Sequence, residues 1–243
     1  MRGLDGEGEE GTVRWRLTHV AETESTNLLA RGGVPGDAFS ADFQTAGRGR
    51  LGHRWTSERG KNLILSAVVD VSRMEPGEAA TLPLAAGLAV AEALREFTAA
   101  TIALKWPNDI LVDGRKICGI LCERRGGSAI VGIGVNVRQT EFPPDVAPCA
   151  VSLAMLGSAA SVTDVRDVIL ASLGRVLEEW RRGFAAVWPR IAAIDFLKGR
   201  TVAVRPLDGA APSAAGLCGG IRCDGSLDVG GCVVWAGEAH IGL

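Results

Sequence analysis

Gln44-Thr45-Ala46-Gly47-Arg48-Gly49-Arg50-Leu51-Gly52-His53-Arg54-Trp55 decides the reading of this chain, together with a second run, Lys105-Trp106-Pro107-Asn108-Asp109 followed by Arg115-Lys116-Ile117-Cys118-Gly119. The first run alternates glycine with arginine. Glycine keeps the backbone pliable and its N–H groups exposed, and guanidinium groups stand beside them. That combination suits anions such as phosphate and carboxylate. The second run adds Lys105, Lys116, an amide at Asn108 and a carboxylate at Asp109. A site with this inventory can hold two anions against each other while they react.

Working outward, the flanking segments read as strands and helices. Val13 to Val20 is expected as a strand, and Ser25-Thr26-Asn27 as the opening of a short helix through Ala30, with Ser and Thr as caps. Ala38 to Gln44 reads as a strand that runs into the glycine/arginine loop. Leu63 to Val71 is a buried strand by its β-branched content. A long helix is expected from Pro76-Gly77 to about Phe97. Thr101 to Trp106 leads into a hairpin with arms Asp109–Val112 and Lys116–Glu123, turned at Asp113-Gly114. Ala129 to Val137 is another strand, and 138–150 an irregular loop. Thr163 is expected to cap an amphipathic helix carrying Val165, Val168, Ile169, Leu173, Val176, Leu177 and Trp180 at helical spacing. From Gly199 onward, short apolar strands separated by Gly, Asp and Pro read as a small all-β unit.

Composition bounds the function. The 243 residues suffice for one medium domain and a small one, with 47% hydrophobic and 22% charged residues. The net charge of −2 gives no global attraction for nucleic acid, so any phosphate binding must be local. Residues 1–12 read as a solvated tail and not a signal peptide. No run approaches the ~18 apolar residues of a membrane span, so a cytoplasmic location is expected. Six cysteines form no C-x-x-C pair and do not cluster with the three histidines, which argues against zinc and for free thiols. There is no P-loop.

Both decisive runs resemble the signature of biotin–protein ligases, and the resemblance covers most of Thr18 to Val137. It implies an α+β fold: a mixed β-sheet with helices packed on it, of the class II synthetase and biotin–lipoate ligase kind, spanning residues 13–195. A C-terminal SH3-like barrel would occupy 196–243. It implies a reaction in which ATP activates biotin to biotinyl-5′-AMP, with Mg²⁺ entering alongside the nucleotide. A lysine on a biotin carboxyl carrier domain of acetyl-CoA carboxylase or a related carboxylase then takes the biotin. A homodimer is left open. With only about a dozen residues before the first strand, no DNA-binding unit is expected, and no membrane partner.

The resemblance also assigns residues. Ser25, Thr26, Asn27 and Gln44 would meet the neutral urea head group of biotin, which hydroxyls and amides complement better than charges do. Gly47, Arg48, Gly49, Arg50 and Gly119 would complete the biotin site. Lys116 would bridge the biotin carboxylate and the α-phosphate. Arg48, Arg50, Trp55, Lys105, Asn108 and Asn136 would face the nucleotide. Asp109 would be catalytic, as a metal-associated carboxylate or an orienting group for the incoming lysine. Read alone, Ser25-Thr26-Asn27 is a helix cap, Pro107-Asn108-Asp109 a capped turn, and the small residues of Gly132–Asn136 a close packing device. The chain departs from the family at His53, where arginine is usual. Two rivals remain: a lipoate ligase or octanoyl transferase, and a non-catalytic sensor that would not need Lys116.

Overall fold

Alternation within one strand sets the architecture. In β3 (Asn62–Asp70), Leu63, Leu65, Ala67 and Val69 join the main apolar core. Between them, Ser66 reaches Thr26 and Asn27, and Val68 packs with Ala30 and Ile130 on the opposite face. A period of two therefore gives β3 one face for the core and another for a site. The computed structural model describes residues 14–206 and 212–242, so the expected tail and Val13 lie outside the described residues.

Seven strands form the larger sheet: β1 (Arg16–Val20), β2 (Asp37–Ala41), β3, β4 (Ile102–Lys105), β5 (Asp109–Val112), β6 (Arg115–Arg125) and β7 (Ser128–Asn136). Their spatial order is β1-β2-β3-β7-β6-β5-β4, with β1 and β2 parallel and the remaining neighbours antiparallel. The β5–β6 turn is two residues long, with Asp113 at φ 48° and Gly114 at φ 78°, the backbone that an Asp-Gly hairpin turn favours. The apolar face is covered by α3 (Leu82–Leu94) and α4 (Val162–Arg181), whose Leu88, Leu173, Leu177 and Trp180 belong to the same core as Leu65. Each such large side chain, fully buried, stabilises the fold by roughly 1.5–3 kcal/mol.

Two helix expectations need correction. The helix expected over 76–97 is two helices, α2 (Pro76–Ala79) and α3, because Pro83 has no N–H for the carbonyl four residues back. Thr81 fills the break: its Oγ1 donates to Glu78 O at 2.6 Å and accepts from Trp180 Nε1 at 2.8 Å. The cap of α4 is Ser161, not Thr163. Asp164 N donates to Ser161 Oγ at 3.1 Å and Ser161 N donates to Asp164 Oδ2 at 3.0 Å, a reciprocal box.

The C-terminal residues form a five-stranded antiparallel sheet: β8 (Thr201–Arg205), β9 (Ala214–Ile221), β10 (Leu227–Val229), β11 (Cys232–Val234) and β12 (Glu238–Ile241), in the order β11-β10-β9-β8-β12. Residues 194–196 still bond to Leu104 on β4. Tryptophans fasten the second sheet to the first unit. Trp188 Nε1 donates to Ile221 O at 2.8 Å and Trp106 Nε1 to Gly225 O at 3.1 Å. Trp188 lies on α5 (Trp188–Ala193) and Trp106 inside the Lys-Trp-Pro-Asn-Asp element.

Candidate active site

The site face of the sheet is built from register. Ile64, Gly134, Gly119, Asp109 and Lys105 pair in one row across β3, β7, β6, β5 and β4. The neighbouring row is Ser66, Gly132 and Leu121. The glycines make a floor on which larger groups lie. A Cβ at Gly134 would sit 2.5 Å from Trp55 Cε2, and one at Gly132 would sit 2.3 Å from Asn27 Oδ1. Both distances are closer than real side chains approach, so glycine is required by contact here.

A bulge aims Lys116 at that floor. Ile110 pairs with Cys118, but Leu111 pairs with Lys116, so β6 carries one extra residue, Ile117. Strict alternation would place residues 116 and 119 on opposite faces. With the bulge, Lys116 and Gly119 line one cavity, while Ile117 and Cys118 both enter the core. The Lys116 ammonium stands 2.7 Å from Asp109 Oδ1, a buried oxygen for which this ion pair, without hydrogen-bond alignment, is the contact found among the described residues.

That cavity brings together Ser25, Thr26, Asn27, Gln44, Arg48, Gly49, Arg50, Trp55, Asn108, Asp109, Lys116 and Gly119, and also His53 and Arg54. It carries uncharged polar groups at Ser25, Thr26 and Gln44 and cations at Arg48, Arg50, Arg54 and Lys116. Gln44 also decides how Ser25 is read. The Ser25 hydroxyl makes no capping bond to α1 (Thr26–Leu29); instead Gln44 Oε1 accepts from Thr26 N at 2.7 Å. The helix is capped from a distant strand end, and the serine is spared.

The glycine/arginine loop is folded on itself. Gly49 N donates to His53 O at 2.7 Å and Trp55 N to Gly47 O at 3.1 Å. Gly47 does not line the cavity, but a Cβ there would lie 2.3 Å from Trp55 O, so the loop closes only around glycine. Arg50 is the loop's half-buried cation, where Arg48 and Arg54 are exposed. Its guanidinium donates to Asn108 Oδ1 and to Gly237 O, each at 3.3 Å. Burial pushes its pKa down, opposed by the charges of Glu238 and Asp109. It stays protonated, as arginine does in proteins. Glu238, from the second sheet, lines the cavity as well.

Two residues expected to face the nucleotide do not line this cavity. Lys105 ends the register row but does not line the cavity. Asn136 is 5% exposed and also absent from the lining, with Nδ2 donating to Val151 O at 3.1 Å. Val151 N in turn donates to Lys116 O at 3.0 Å. Asn136 therefore stands two links behind Lys116. Sequence reasoning missed Ile64 and Glu238, which line the cavity, and Ser66 and Glu123, which bond Thr26 and Asn27 behind it. A lone serine inside the apolar run 63–69 was a signal for Ser66; Glu238 offered none.

The cavity volume is about 170 Å³, below the ~300–1,000 Å³ of ordinary ligand pockets. Trp55 occupies the glycine floor, and a ligand of two anionic parts needs that space. Among the described residues no group of three His, Cys, Asp or Glu side chains converges. Asp109 is already committed to Lys116, so the side chains do not make a magnesium cage.

Residues 35–140 match the Biotin/lipoate A/B protein ligase family. A biotin–[acetyl-CoA-carboxylase] ligase of Mycobacterium tuberculosis is 39% identical over 205 residues, 79% of this chain and 74% of that protein. The biotin protein ligase of Aquifex aeolicus, solved with biotin and ATP, superposes with a TM-score of 0.81 at 29% identity, covering 92% of this chain and 97% of that one. The biotin protein ligase of Leishmania major, solved with biotinyl-5-AMP, gives 0.64 at 26% identity over 93% and 97%. By this kinship, and by the glycine floor, the bulged lysine and the arginine loop, the chain belongs to the biotin–protein ligases.

Proposed function

We infer that this protein joins biotin to ATP, forming biotinyl-5′-AMP, and passes the biotin to a lysine of a biotin carboxyl carrier domain. The observation that carries the reading is the meeting of Lys116, the uncharged Ser25, Thr26 and Gln44, and the two loop arginines in a single cavity. A carboxylate oxygen must attack the α-phosphorus while pyrophosphate leaves, and both reactants are negative. Fixed cations in a site closed to water lower that barrier.

Each residue then has a task. Ser25, Thr26 and Gln44 meet the urea ring. Lys116, held in waiting by Asp109, moves to the biotin carboxylate and the α-phosphate. Arg48 and Arg50 meet the phosphates, with Trp55 displaced from the glycine floor to cover the pair. Asn136 and Lys105 act by holding the frame. Magnesium enters as the nucleotide complex, with phosphates as its main ligands, since the cavity supplies no cage. In the second step the acceptor amine attacks the acyl carbon, an amide forms and AMP leaves.

The acceptor is the carrier domain of acetyl-CoA carboxylase or a related carboxylase. β5 pairs with β6 only as far as Gly119. Beyond it, Leu121 to Arg125 offer a strand edge beside the cavity, suited to main-chain pairing with the carrier. A homodimer on the same edge would exclude the carrier. A cytoplasmic setting, where biotin, ATP and a carboxylase meet, belongs to the same reading.

Incubation with ATP, labelled biotin and a carrier domain tests it. Label on the acceptor lysine is the expected result. Label bound but never transferred would favour a sensor, and no binding at all would favour a lipoyl or octanoyl substrate.

A further inference from the structure

The charged side chains lining the cavity include one whose charge is not fixed. Arg48, Arg50, Arg54 and Lys116 are cations there, and Asp109 and Glu238 are carboxylates. His53 lines the same cavity. Its backbone is pinned, with N donating to Arg50 O at 3.0 Å and O accepting from Gly49 N at 2.7 Å, while its ring takes no part in the hydrogen bonds and ion pairs found among the described residues. Of these residue types, histidine alone ordinarily changes charge between pH 5 and 8.

Four cations facing two carboxylates leave a small positive excess. A triphosphate and a carboxylate entering together carry more negative charge than that excess. Two of the cations are also engaged already, Lys116 with Asp109 at 2.7 Å and Arg50 with Asn108 Oδ1 and Gly237 O at 3.3 Å each. An imidazole with no protein partner is the group left to respond. An anion beside it favours the charged ring, and the charged ring donates from both nitrogens. The triphosphate is the stronger claimant, because it carries the greater charge and the carboxylate has Lys116 in the same reading.

We propose that His53 is a proton-dependent ligand for the phosphates of the nucleotide, so that affinity for ATP gains from this residue as the pH falls through the histidine range. This rests on the reading of the protein as an ATP-dependent ligase. Arg48, Arg50 and Arg54 on its own loop and Lys116 on β6 repel the added charge; Asp109 on β5 and Glu238 on β12 attract it. The incoming phosphates tip that balance toward the proton.

Calorimetric binding of magnesium–ATP and, separately, of biotin to the full chain at pH 6 and pH 8 tests the proposal. The parent, His53→Gln and His53→Arg are compared at each pH, so that titration of the nucleotide itself cancels. At pH 8 the parent and His53→Gln should bind ATP within about twofold of each other. At pH 6 the parent should bind about fivefold tighter than His53→Gln, the size of one good exposed ion pair. His53→Arg, charged throughout, should hold that advantage over His53→Gln at both pH values. Biotin affinity should agree within about twofold among the three. His53 is exposed, so all three should melt alike. A ratio between parent and His53→Gln that is the same at pH 6 and pH 8 overturns the proposal, and a pH-linked gap for biotin in place of ATP overturns the assignment to the phosphates. A parent that binds no ATP at either pH overturns the functional reading and this inference with it.

Discussion

The two faces of the seven-stranded sheet obey opposite rules. On the helix-covered face, Leu63, Val131 and Val135 fill space, and stability depends on how much they fill. On the site face, at positions alternating with these, Gly132 and Gly134 leave space, and Asn27 and Trp55 occupy it. One strand therefore carries two instructions, separated by a period of two. Atoms removed from the first face should cost stability and spare the chemistry. Atoms added to the second should cost chemistry and spare stability.

Leu63→Ala is the strongest way to strain that contrast. Leu63 is fully buried and does not line the cavity, and truncation should cost about 2–5 kcal/mol in denaturant unfolding while the biotin KM holds. A mutant that loses ligation without losing stability would erase the difference between the faces. Gly134→Val is the converse. Valine suits a strand, but its Cβ would meet the indole of Trp55 at 2.5 Å. Ligation should fall about 10²-fold, close to 3 kcal/mol, with the melting temperature nearly kept.

Asn136→Ala sharpens the boundary between lining and support. It removes the bond to Val151 O behind Lys116, and kcat should drop about tenfold with the ATP KM little changed. A rise in the ATP KM alone would return Asn136 to direct nucleotide contact. Thiol reactivity is the mildest test. Cys118 and Cys122 lie on the helix side of β6. Burial pushes the Cys118 thiol up strongly and that of Cys122 to about 12, and Cys218 is pushed up to about 11. A raised pKa leaves little thiolate at pH 8, so these three should alkylate slowly. Cys149, Cys223 and Cys232 are exposed and should react first.

Much of the fold was legible because its signals are local. The apolar run of β3, the Asp-Gly turn between β5 and β6, and the spacing of α4 each need only a short window. The break between α2 and α3 was legible in principle, since Pro83 forbids one helical bond, but the alanines around it masked the stop. The site was legible where a motif names its residues. It was illegible where a role depends on register. Nothing near Gln44 tells that its side chain caps α1, or that Ile117 is the bulge that turns Lys116. Glu238 reaches the cavity only because the second sheet docks through Trp106 and Trp188.

The loop offers a further comparison, between the folded hairpin seen here and the ligand cover proposed for it. About 170 Å³ is free while Trp55 lies on the glycine floor, less than the two substrates of the proposed reaction need. Biotin should therefore change the rate of proteolysis within Gln44–Trp55. Equal cleavage with and without biotin would show that the loop does not respond.

The most direct measurement is the single-turnover rate of biotinyl-5′-AMP formation by Lys116→Ala, beside its thermal melt. Lys116 is partly exposed, with its ammonium on Asp109 in the cavity rather than in the core, so the melt should largely hold. Adenylate formation should slow at least about 10²-fold, the size of a lost charge-stabilising group. A folded Lys116→Ala protein that forms the anhydride at the native rate would contradict the central role given to that lysine.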